Sequence, residues 1–247
     1  MLDCYYMNVS CDCSKEQSLA LYEGLSRDRR ERVDRLKDEG ATNKQIVIGA
    51  FLQHCLSGYI GVIPSQIKFE YNEQGKPYVP SGVHFNMSHS GDYVVLAVSD
   101  YPVGIDIERL RHKRLSVAKR FFCREEYEDI INAGGEKEQD RRFLEYWTIK
   151  EAYVKYMGKG LSIPLNSFRI LMSDTGTNEK GICVQMDGNS QVLCEKGTDD
   201  NDVCIRAFYL NDDYNIAICS EKQAMSCEMD VVFNASNVKM ICLNDIL

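Results

Sequence analysis

The sequence predicts an α+β fold of two similar α/β subdomains related by a pseudo-two-fold axis. A functional site is expected in the cleft between the two halves. Two pairs of matching stretches support this prediction. Residues 57–71, "SGYIGVIPSQIKFEY", and 155–170, "KYMGKGLSIPLNSFRI", each leave a helix, pass through Ile-Pro and enter an alternating strand. Further along, 92–99, "DYVVLAVS", resembles 213–220, "DYNIAICS". Two short matches can arise by chance, but a cleft between duplicated halves is a natural ligand site.

Hydrophobic periodicity and turn signals place the elements along the chain. Four helices are predicted, at 15–37, 42–58, 116–132 and 140–157. Strands are predicted at "CYYMNV", "QIKFEY", "KPYV", "HFNMSHS", "YVVLAVSD" and "VGIDIERL", and the chain from 166 onward is mostly short strands. Thr42 or Asn43 is a candidate N-cap for the second helix. The two subdomains are accordingly placed at 1–103 and 104–247.

Composition narrows the class of protein. The chain has 247 residues, of which 44% are hydrophobic and 27% charged, enough for one large domain or two small ones with a proper core. The net charge of −8 argues against a general nucleic-acid binder. Apolar runs such as "IVIGAFL" are too short to span a bilayer, and the first residues lack the regions of a signal peptide.

The eleven cysteines are interpreted as thiols and not as a disulfide framework. Their number is odd, and most of them lie in apolar or alternating segments, as buried thiols do. Cys11 and Cys13 form a C-x-C with no second pair nearby, so a zinc site is not predicted. We therefore expect a reduced, cytoplasmic protein.

Positive charge is concentrated in two segments of this acidic chain. Residues 27–37, "RDRRERVDRLK", carry six basic and three acidic side chains. Residues 109–124, "RLRHKRLSVAKRFFCR", carry seven basic side chains and no acidic one. Such a run is often a solvated helix face, but on an acidic protein it can also bind acidic ligands. Both interpretations stay open from composition alone.

Two carboxylates share one face of the predicted strand "PVGIDIERL" at 102–110. Side chains alternate along a strand, so Asp106 and Glu108 point the same way as Gly104, while the intervening branched residues point the other way. An antiparallel strand with one solvent-exposed face gives the same alternation of polar and apolar side chains. The alternative is that the two carboxylates bind a cation.

A third carboxylate comes from the helical segment "FLEYWTIKEAYVKYMG" at 143–158. At about 100° per residue, Glu151 falls inside the apolar sector of Trp147, and Lys155 lies one turn further on. A surface Glu–Lys pair at i,i+4 would suit the polar face better, whereas a carboxylate on a buried face requires a cation or hydrogen-bond partners. With the two strand carboxylates, this glutamate would form an oxygen-only site of the kind that suits Mg²⁺.

Five motifs in register give the sequence a family resemblance. In chain order they are "QGKPYV", "HFNMSHSGDYVV", "GIDIE", "RFFCREEYEDI" and "WTIKEAYVKYMGKGLS". Together they resemble the signature of the 4′-phosphopantetheinyl transferases. The length and the duplication resemble the Sfp type and not the short holo-ACP-synthase type, which assembles separate chains. The resemblance implies the Sfp-like transferase fold, with the active site in the cleft between the halves.

The resemblance implies an enzyme that moves 4′-phosphopantetheine from coenzyme A to a serine hydroxyl of an apo acyl or peptidyl carrier protein and releases adenosine 3′,5′-bisphosphate. It implies that Asp106, Glu108 and Glu151 hold Mg²⁺ against the coenzyme A pyrophosphate. Glu151, directly or through water, would accept the serine proton, and Lys155 would reach the phosphates. Because the duplication removes the need to oligomerise, we expect a monomer, with neither nucleic acid nor membrane as partner.

Further residues gain roles only through this resemblance. His89 of "NMSHS" would donate to a phosphate, with Ser88 helping; a hydrolase triad is poorly supported because the sequence has no G-x-S-x-G. Lys76 of "QGKP", otherwise a solvated turn lysine, would contact the nucleotide. Arg29 and Arg32 would meet the 3′-phosphate.

One position departs from the family pattern, and two other functions stay open. Family members often carry Arg-Thr or a similar pair where this chain has Gln45-Ile46, which weakens the assignment of nucleotide contacts to helix 42–58. One of these functions is a Mg²⁺-dependent phosphodiesterase acting on a nucleotide pyrophosphate, which would need the same carboxylates. The other is a non-catalytic module that binds coenzyme A or carriers, which would not need these carboxylates. "GKG" lacks the spacing of a Walker loop, so Gly158 is interpreted as a helix stop.

Overall fold

The computed structural model describes residues 1–10, 13–112, 114–174, 180–186, 192–193, 203–225 and 238–247. Within these ranges the helices are α1 Lys15–Gly24, α2 Arg27–Val33, α3 Glu39–Ile60, α4 Leu115–Phe121, α5 Arg124–Ile131, α6 Glu136–Met157, α7 Lys222–Met225 and α8 Leu243–Ile246. The strands are β1 Leu2–Asn8, β2 Glu70–Tyr71, β3 Pro77–Tyr78, β4 His84–Ser90, β5 Tyr93–Ser99, β6 Val103–Arg109, β7 Phe168–Asp174, β8 Lys180–Met186, β9 Val192–Leu193, β10 Val203–Asn211, β11 Tyr214–Glu221 and β12 Val238–Met240. Single turns of 3₁₀ helix lie at Pro64–Gln66, Gly160–Ser162 and Leu165–Ser167.

The predicted duplication is visible in the order of the strands. In the first half β1 pairs antiparallel with β5, and β5 pairs with β4. In the second half β6 pairs antiparallel with β11, and β11 pairs with β10, which is the same order. Equivalent hydrogen bonds recur: the Ser99 hydroxyl donates to the Met1 carbonyl at 3.0 Å, and the Ser220 hydroxyl donates to the Pro102 carbonyl at 2.8 Å. The predicted duplicated α+β fold is confirmed.

The long helices repeat as well. Helices α3 and α6 each have 22 residues and end at a glycine in the left-handed region, Gly61 with φ 73° and Gly158 with φ 65°. Glycine adopts this conformation without a Cβ penalty, so Gly158 is a helix stop as predicted. Eight residues before these glycines, Gln53 and Lys150 occupy equivalent positions, and both side chains are completely buried.

Two of the predicted helices are wrong as single elements, because each is broken into two. The helix predicted at 15–37 is α1 and α2, since Ser26 between them is extended and its N–H donates to the buried Gln53 side chain. The helix predicted at 116–132 is α4 and α5, since Cys123 takes the same extended conformation. Both breaks lie at the N-cap of the helix that follows.

Both long helices begin earlier than predicted. The cap of α3 is Asp38 and not Thr42 or Asn43, because the Asp38 carboxylate accepts from the Ala41 N–H at 2.7 Å. Capping by aspartate satisfies one of the free N–H groups of the first turn. Helix α6 likewise starts four residues before the predicted 140–157.

The two sheets enclose an apolar layer between the halves. Tyr93 and Tyr214, which hold equivalent positions in the two halves, contact each other edge to face at 4.9 Å between ring centroids. A contact between equivalent residues marks the pseudo-two-fold axis. The layer around it is formed by almost fully buried residues from both sheets, among them Cys4, Val95, Ala97, Ile105, Ile107, Ile216 and Ile218.

The C-terminal segment returns to the first half. Strand β12 pairs parallel with β1, from Cys4 opposite Val238 to Tyr6 opposite Met240. Apolar residues of the last turn pack against the core of the first half. The boundary between 103 and 104 stays a prediction, and the tail beyond 238 joins the sheet of the first half.

Within the described ranges, no helix has the length and apolar character needed to cross a bilayer. The thiols of Cys4, Cys55, Cys219 and Cys242 are not in disulfides. Cys11, one half of the C-x-C, lies outside the described residues.

Candidate active site

The candidate active site lies where β6 and α6 meet, at the junction of the halves. Gly104 lies so close to the helix that a Cβ atom on it would overlap the backbone of Ala152 and Tyr156. The absent side chain therefore lets α6 lie directly on the strand. Asp106 and Glu108 follow on the same face of β6, as the strand alternation predicts.

Asp106 is held by two hydrogen bonds and has one oxygen without a partner. The residue is 2% exposed. Its Oδ1 accepts from the Lys155 Nζ at 2.5 Å and from the Ser88 Oγ at 2.7 Å. Its Oδ2 is buried and has no hydrogen-bond partner. Buried carboxylate oxygens are rarely left in this state, so Oδ2 is a candidate ligand atom.

The negative charge of Asp106 affects the pKa values of the other two carboxylates, Glu108 and Glu151. Burial raises the pKa of Glu108, and the negative charge of Asp106 raises it further, although the Ser90 Oγ donates to Glu108 Oε2 at 2.8 Å. Burial also raises the pKa of Glu151, followed by the charge of Asp106. Three partly or fully buried carboxylates that repel one another are stabilised by a cation.

The chemistry of this cluster fits a hard divalent cation. All three donors are carboxylates, and the Asp106 Oδ2 lacks a partner. In the described part of the chain, no three Asp, Glu, His or Cys side chains are gathered closely enough to hold an ion. The structure thus brings the three predicted ligands to one place but not into one coordination shell, and Lys155 is paired with Asp106.

A row of polar side chains on β4 joins the two halves. Asn86, Ser88 and Ser90 alternate along the strand and reach across to β6. The Asn86 Oδ1 accepts from the Ile105 N–H at 2.8 Å, and the Ser90 Oγ accepts from the Arg109 N–H at 3.1 Å. Asn86 and Ser90 are not among the residues predicted from the sequence, although the same period of two that selects the acidic pair would have selected them.

His89 lies beside the start of α3 among positive charges. Its Nε2 is 3.4 Å from the Gln45 Nε2. Partial burial lowers the pKa of His89, and the charges of Lys44 and Lys155 lower it further. Lys44 also donates to the Gly91 carbonyl in the turn between β4 and β5. Lys44 is absent from the predicted site, and its only signal in the sequence is its place next to Gln45, where the chain departs from the family pattern.

Lys76 connects the β2–β3 hairpin to the second half. Its Nζ donates to the Val103 carbonyl at 3.1 Å and to the Lys155 carbonyl at 2.6 Å. Burial lowers the pKa of Lys76 to about 8, and the Lys155 ammonium contributes to the shift. The Asn72 Nδ2 adds a bond to the Gly158 carbonyl at 3.0 Å. Lys76 therefore fixes the end of α6, and its contact with a nucleotide stays a prediction.

Arg29 and Arg32 of α2 stack on aromatic rings beside the same hairpin. Their guanidinium carbons lie 5.2 Å from the ring centroid of Phe69 and 4.5 Å from that of Tyr71, respectively. Burial lowers the pKa of Arg29, and its Nε has no hydrogen-bond partner. The basic residues predicted to bind the nucleotide thus gather around β2 and β3. Their predicted contact with a 3′-phosphate is untested.

A pocket of about 170 Å³ opens beside Glu108. It is lined by three arginines of the basic segment, Arg109, Arg111 and Arg114. The remaining lining residues are apolar and come from α4 and α6: Val117, Phe143, Leu144 and Trp147. Four residues of the segment 109–124 therefore lie next to Glu108, and an acidic partner bound to the arginines among them would be near the predicted metal ligands.

Comparison with known proteins assigns the chain to a family. The model described as the 4′-phosphopantetheinyl transferase superfamily matches residues 102–219, and the one described as 4′-phosphopantetheinyl transferase, N-terminal, matches 11–100. A 4′-phosphopantetheinyl transferase of Bacillus subtilis is 32% identical over 218 residues, 87% of this chain and 89% of that protein. The chain belongs to the 4′-phosphopantetheinyl transferase superfamily.

A second relative agrees with this assignment. The 4′-phosphopantetheinyl transferase Sfp of Bacillus subtilis (strain 168) is 31% identical and covers 84% of this chain and 87% of its own length. The solved structure of the holo-[acyl-carrier-protein] synthase of Thermotoga maritima is 18% identical in sequence. The match covers 49% of this chain and 63% of that chain, with a TM-score of 0.37. The family resemblance based on the five motifs is confirmed.

In this phosphopantetheinyl transferase the predicted site residues form two groups. The first group surrounds the junction of β4, β6 and α6 and contains Ser88, His89, Asp106, Glu108, Glu151 and Lys155. The second surrounds the β2–β3 hairpin and contains Arg29, Arg32 and Lys76. The carbonyl of Lys155, which accepts from Lys76, connects the two groups.

Proposed function

We propose that this transferase moves 4′-phosphopantetheine from coenzyme A to a serine hydroxyl of an apo acyl or peptidyl carrier protein and releases adenosine 3′,5′-bisphosphate. Membership of the family supports coenzyme A as donor and a carrier protein as acceptor. The observation that supports the proposal most is the carboxylate cluster of Asp106, Glu108 and Glu151, with Lys155 beside it, in the cleft between the halves.

Asp106, Glu108 and Glu151 are the residues that would hold Mg²⁺. When bound, the ion supplies positive charge against the pyrophosphate as its phosphorus–oxygen bond breaks. Hydroxyl groups of β4 orient two of the three ligands, because Ser88 donates to Asp106 and Ser90 donates to Glu108. Such supporting hydrogen bonds keep ligand carboxylates in place.

Glu151 is the residue best suited to accept the proton of the carrier serine. It lies in the same cluster as Asp106 and Lys155, and burial and the charge of Asp106 raise its pKa in the metal-free site, so this carboxylate holds a proton more readily there than an exposed glutamate does. Lys155, one turn along α6, can meet a phosphate oxygen as a point charge. The positive charges of Lys44 and Lys155 around His89 favour a phosphate there too.

The basic segment 109–124 is the surface we assign to the carrier protein. Carriers are expected from the family resemblance to be acidic around the modified serine. Arg109, Arg111 and Arg114 line the pocket beside Glu108, and their positive charges complement such an acidic surface. A carrier bound there would present its serine next to the carboxylates.

The same carboxylates would also serve a phosphodiesterase that passes the phosphopantetheine to water. Incubation with coenzyme A and Mg²⁺, with and without apo carrier, separates the two functions when adenosine 3′,5′-bisphosphate is quantified by chromatography. We expect release only with carrier, in equal amount to the carrier modified, and none with a carrier whose acceptor serine is alanine. Release at the same rate without carrier would identify a hydrolase.

We further propose that the protein is a cytoplasmic monomer. The buried thiols of Cys4 and Cys219 support a reducing compartment, and the internal duplication supplies both sides of the cleft from one chain. Light scattering coupled to gel filtration tests the oligomeric state, and a stable dimer at micromolar concentration would contradict it.

A further inference from the structure

The ammonium group of Lys155 occupies the carboxylate cluster. It lies 2.5 Å from the Asp106 Oδ1 and donates to the Ser88 Oγ at 2.8 Å. Burial and the charge of Asp106 raise the pKa values of Glu108 and Glu151, and the positive charge of Lys155 opposes part of this rise. Among the residues that the structure describes, Lys155 is the cation that hydrogen-bonds to one of these three carboxylates. The nearby ammonium of Lys76 is held by backbone carbonyls instead.

Lys155 and a metal ion would share one carboxylate, that of Asp106. Asp106 is almost fully buried, and its Oδ1 is shared by Lys155 and Ser88 while its Oδ2 has no partner. Three carboxylates and one ammonium leave an excess of negative charge, which a divalent cation would cancel. A cation that ligates Asp106 also repels the ammonium on it, so binding of the metal alone must work against this ion pair.

Displacement of Lys155 is unfavourable unless a new anion meets it. A partly buried ammonium that leaves Asp106 loses its closest counter-charge, and breaking a buried pair is strongly destabilising. The pyrophosphate of the donor carries the negative charge that would replace Asp106. The arrival of the donor would therefore remove the competing positive charge of Lys155 from the carboxylate that the metal ligates.

We propose that Lys155 is the internal counter-ion of the metal-free site and that its transfer from Asp106 to the donor pyrophosphate couples the binding of metal and coenzyme A. The inference rests on the proposed function and concerns the same site. In this role Lys155 acts before any chemistry takes place, because its ammonium keeps the affinity of the site for a metal ion low in the absence of coenzyme A. Coupling of this kind is reciprocal, so the metal also tightens the binding of coenzyme A.

The test measures metal affinity and not turnover. Mn²⁺ is titrated into metal-free protein, and the free ion is followed by electron paramagnetic resonance, with and without coenzyme A and without any carrier. We expect Lys155→Met to bind Mn²⁺ alone at least about fivefold more tightly than the wild type, and to lose at least as much of the tightening that coenzyme A produces, since couplings between sites are typically 5- to 150-fold.

Lys159→Met is the matched control. Lys159 is exposed beyond the end of α6, so this change removes the same charge close to the site without touching a carboxylate. We expect its Mn²⁺ affinity to stay within about twofold of the wild type, because an exposed charge is largely screened by salt. Lys155→Gln repeats the test with a polar side chain, and thermal unfolding checks that each variant is folded.

The proposal is overturned if Lys155→Met and Lys155→Gln bind Mn²⁺ alone no more tightly than the wild type, or if coenzyme A tightens the metal equally in all proteins. It is also overturned if Lys159→Met tightens the metal as much as Lys155→Met, since general charge would then explain the effect. Failure of the wild type to modify a carrier would remove the proposed function while the binding results still stood, so the two failures are distinguishable.

Discussion

Glu108 and Glu151 lie in surroundings that disfavour their ionised forms when no metal is bound. Their pKa values are raised above the ordinary 4.5 by burial and by the charge of Asp106. An acid whose pKa rises on folding binds more protons in the folded chain than in the unfolded chain. The free energy of unfolding therefore falls as the pH rises from about 4.5 through the raised values, and it stays lower above them.

Replacement of Glu108 or Glu151 by a neutral side chain should restore the free energy of unfolding that is lost when these carboxylates are ionised. In the presence of a chelator at pH 7, we expect Glu108→Gln and Glu151→Gln each to raise the Tm, by about 2–4 °C for each kcal/mol regained. The gain should vanish below pH 4.5, where the wild-type carboxylates are protonated in both states. Calorimetry from pH 4 to 8 measures this. Glu73→Gln, at an exposed turn, should show no such trend, and a lower Tm for both site variants at pH 7 would contradict the account.

At the scale of elements, the close contact of β6 and α6 depends on Gly104. A Cβ there would overlap helix backbone, which cannot rotate away as a side chain can. We expect Gly104→Ala to lower the free energy of unfolding by about 1–3 kcal/mol and to lower kcat, because α6 and its Glu151 and Lys155 must move from Asp106. Urea unfolding and turnover are the measurements.

Gly134→Ala is the control for this change. Gly134 is exposed before α6, and a Cβ there would meet nothing within 4 Å, so the change should alter the free energy of unfolding by less than about 0.5 kcal/mol. If Gly104→Ala behaves like Gly134→Ala in both assays, the strand and helix are not as close as described.

The duplication offers an internal comparison of a charged and a neutral buried group. Lys150 donates to the carbonyls of Leu165 at 2.7 Å and Phe168 at 2.6 Å, and pairs with Glu126 at 2.9 Å. Its equivalent Gln53 accepts from the Ser26 N–H and donates to the Pro64 and Gly24 carbonyls. Both side chains hold the segments that flank their long helix.

Removal of the charged group should be the more damaging change. Lys150→Met leaves the buried Glu126 carboxylate without its cation, which costs roughly 3–5 kcal/mol, whereas Gln53→Met leaves only neutral groups unpaired, at about 1–3 kcal/mol. Adding Glu126→Gln to Lys150→Met should restore part of the loss. Urea unfolding of the three variants decides, and equal losses for the two single changes would show that the charge is immaterial.

The sequence allowed the strands and the acidic face to be predicted, because alternation is a local property. Asp106, Glu108 and Gly104 follow from a period of two, and Glu151 from its place in an apolar helix sector. The break at Ser26 did not follow, because its cause is a bond to Gln53, 27 residues away in sequence. The roles of Lys76 and Lys44 depend on carbonyls brought near by folding, which no local pattern contains.

At the scale of the whole molecule, the acidic cluster around Asp106 belongs to one of two similar halves. By strand register, the position of Asp106 in β6 corresponds to Tyr5 in β1. Counting from the terminal glycines, the position of Glu151 in α6 corresponds to His54 in α3. The equivalent positions in the first half thus lack these carboxylates. The second half provides the acidic groups, and the first half provides the basic ones around its hairpin.

The basic segment should act on the carrier and not on the donor. We expect Arg114→Glu to raise the KM for carrier about tenfold or more and to leave the KM for coenzyme A unchanged, because Arg114 lines the pocket that we assign to the carrier. Rising salt should weaken carrier binding by the wild type. Lys68→Glu, an exposed charge reversal in the first half, is the control. A carrier KM indifferent to Arg114→Glu and to salt would exclude this surface.

We propose above all that the cluster around Asp106 supports transfer of phosphopantetheine to a carrier serine with the help of a divalent cation. Intact-mass measurement of an apo carrier incubated with coenzyme A and Mg²⁺ tests it most directly. We predict that the wild type adds one phosphopantetheine to the carrier, and that Asp106→Ala, shown to be folded, adds none even at saturating Mg²⁺, as does the wild type in excess chelator. Carrier modified by Asp106→Ala at the wild-type rate would contradict the account.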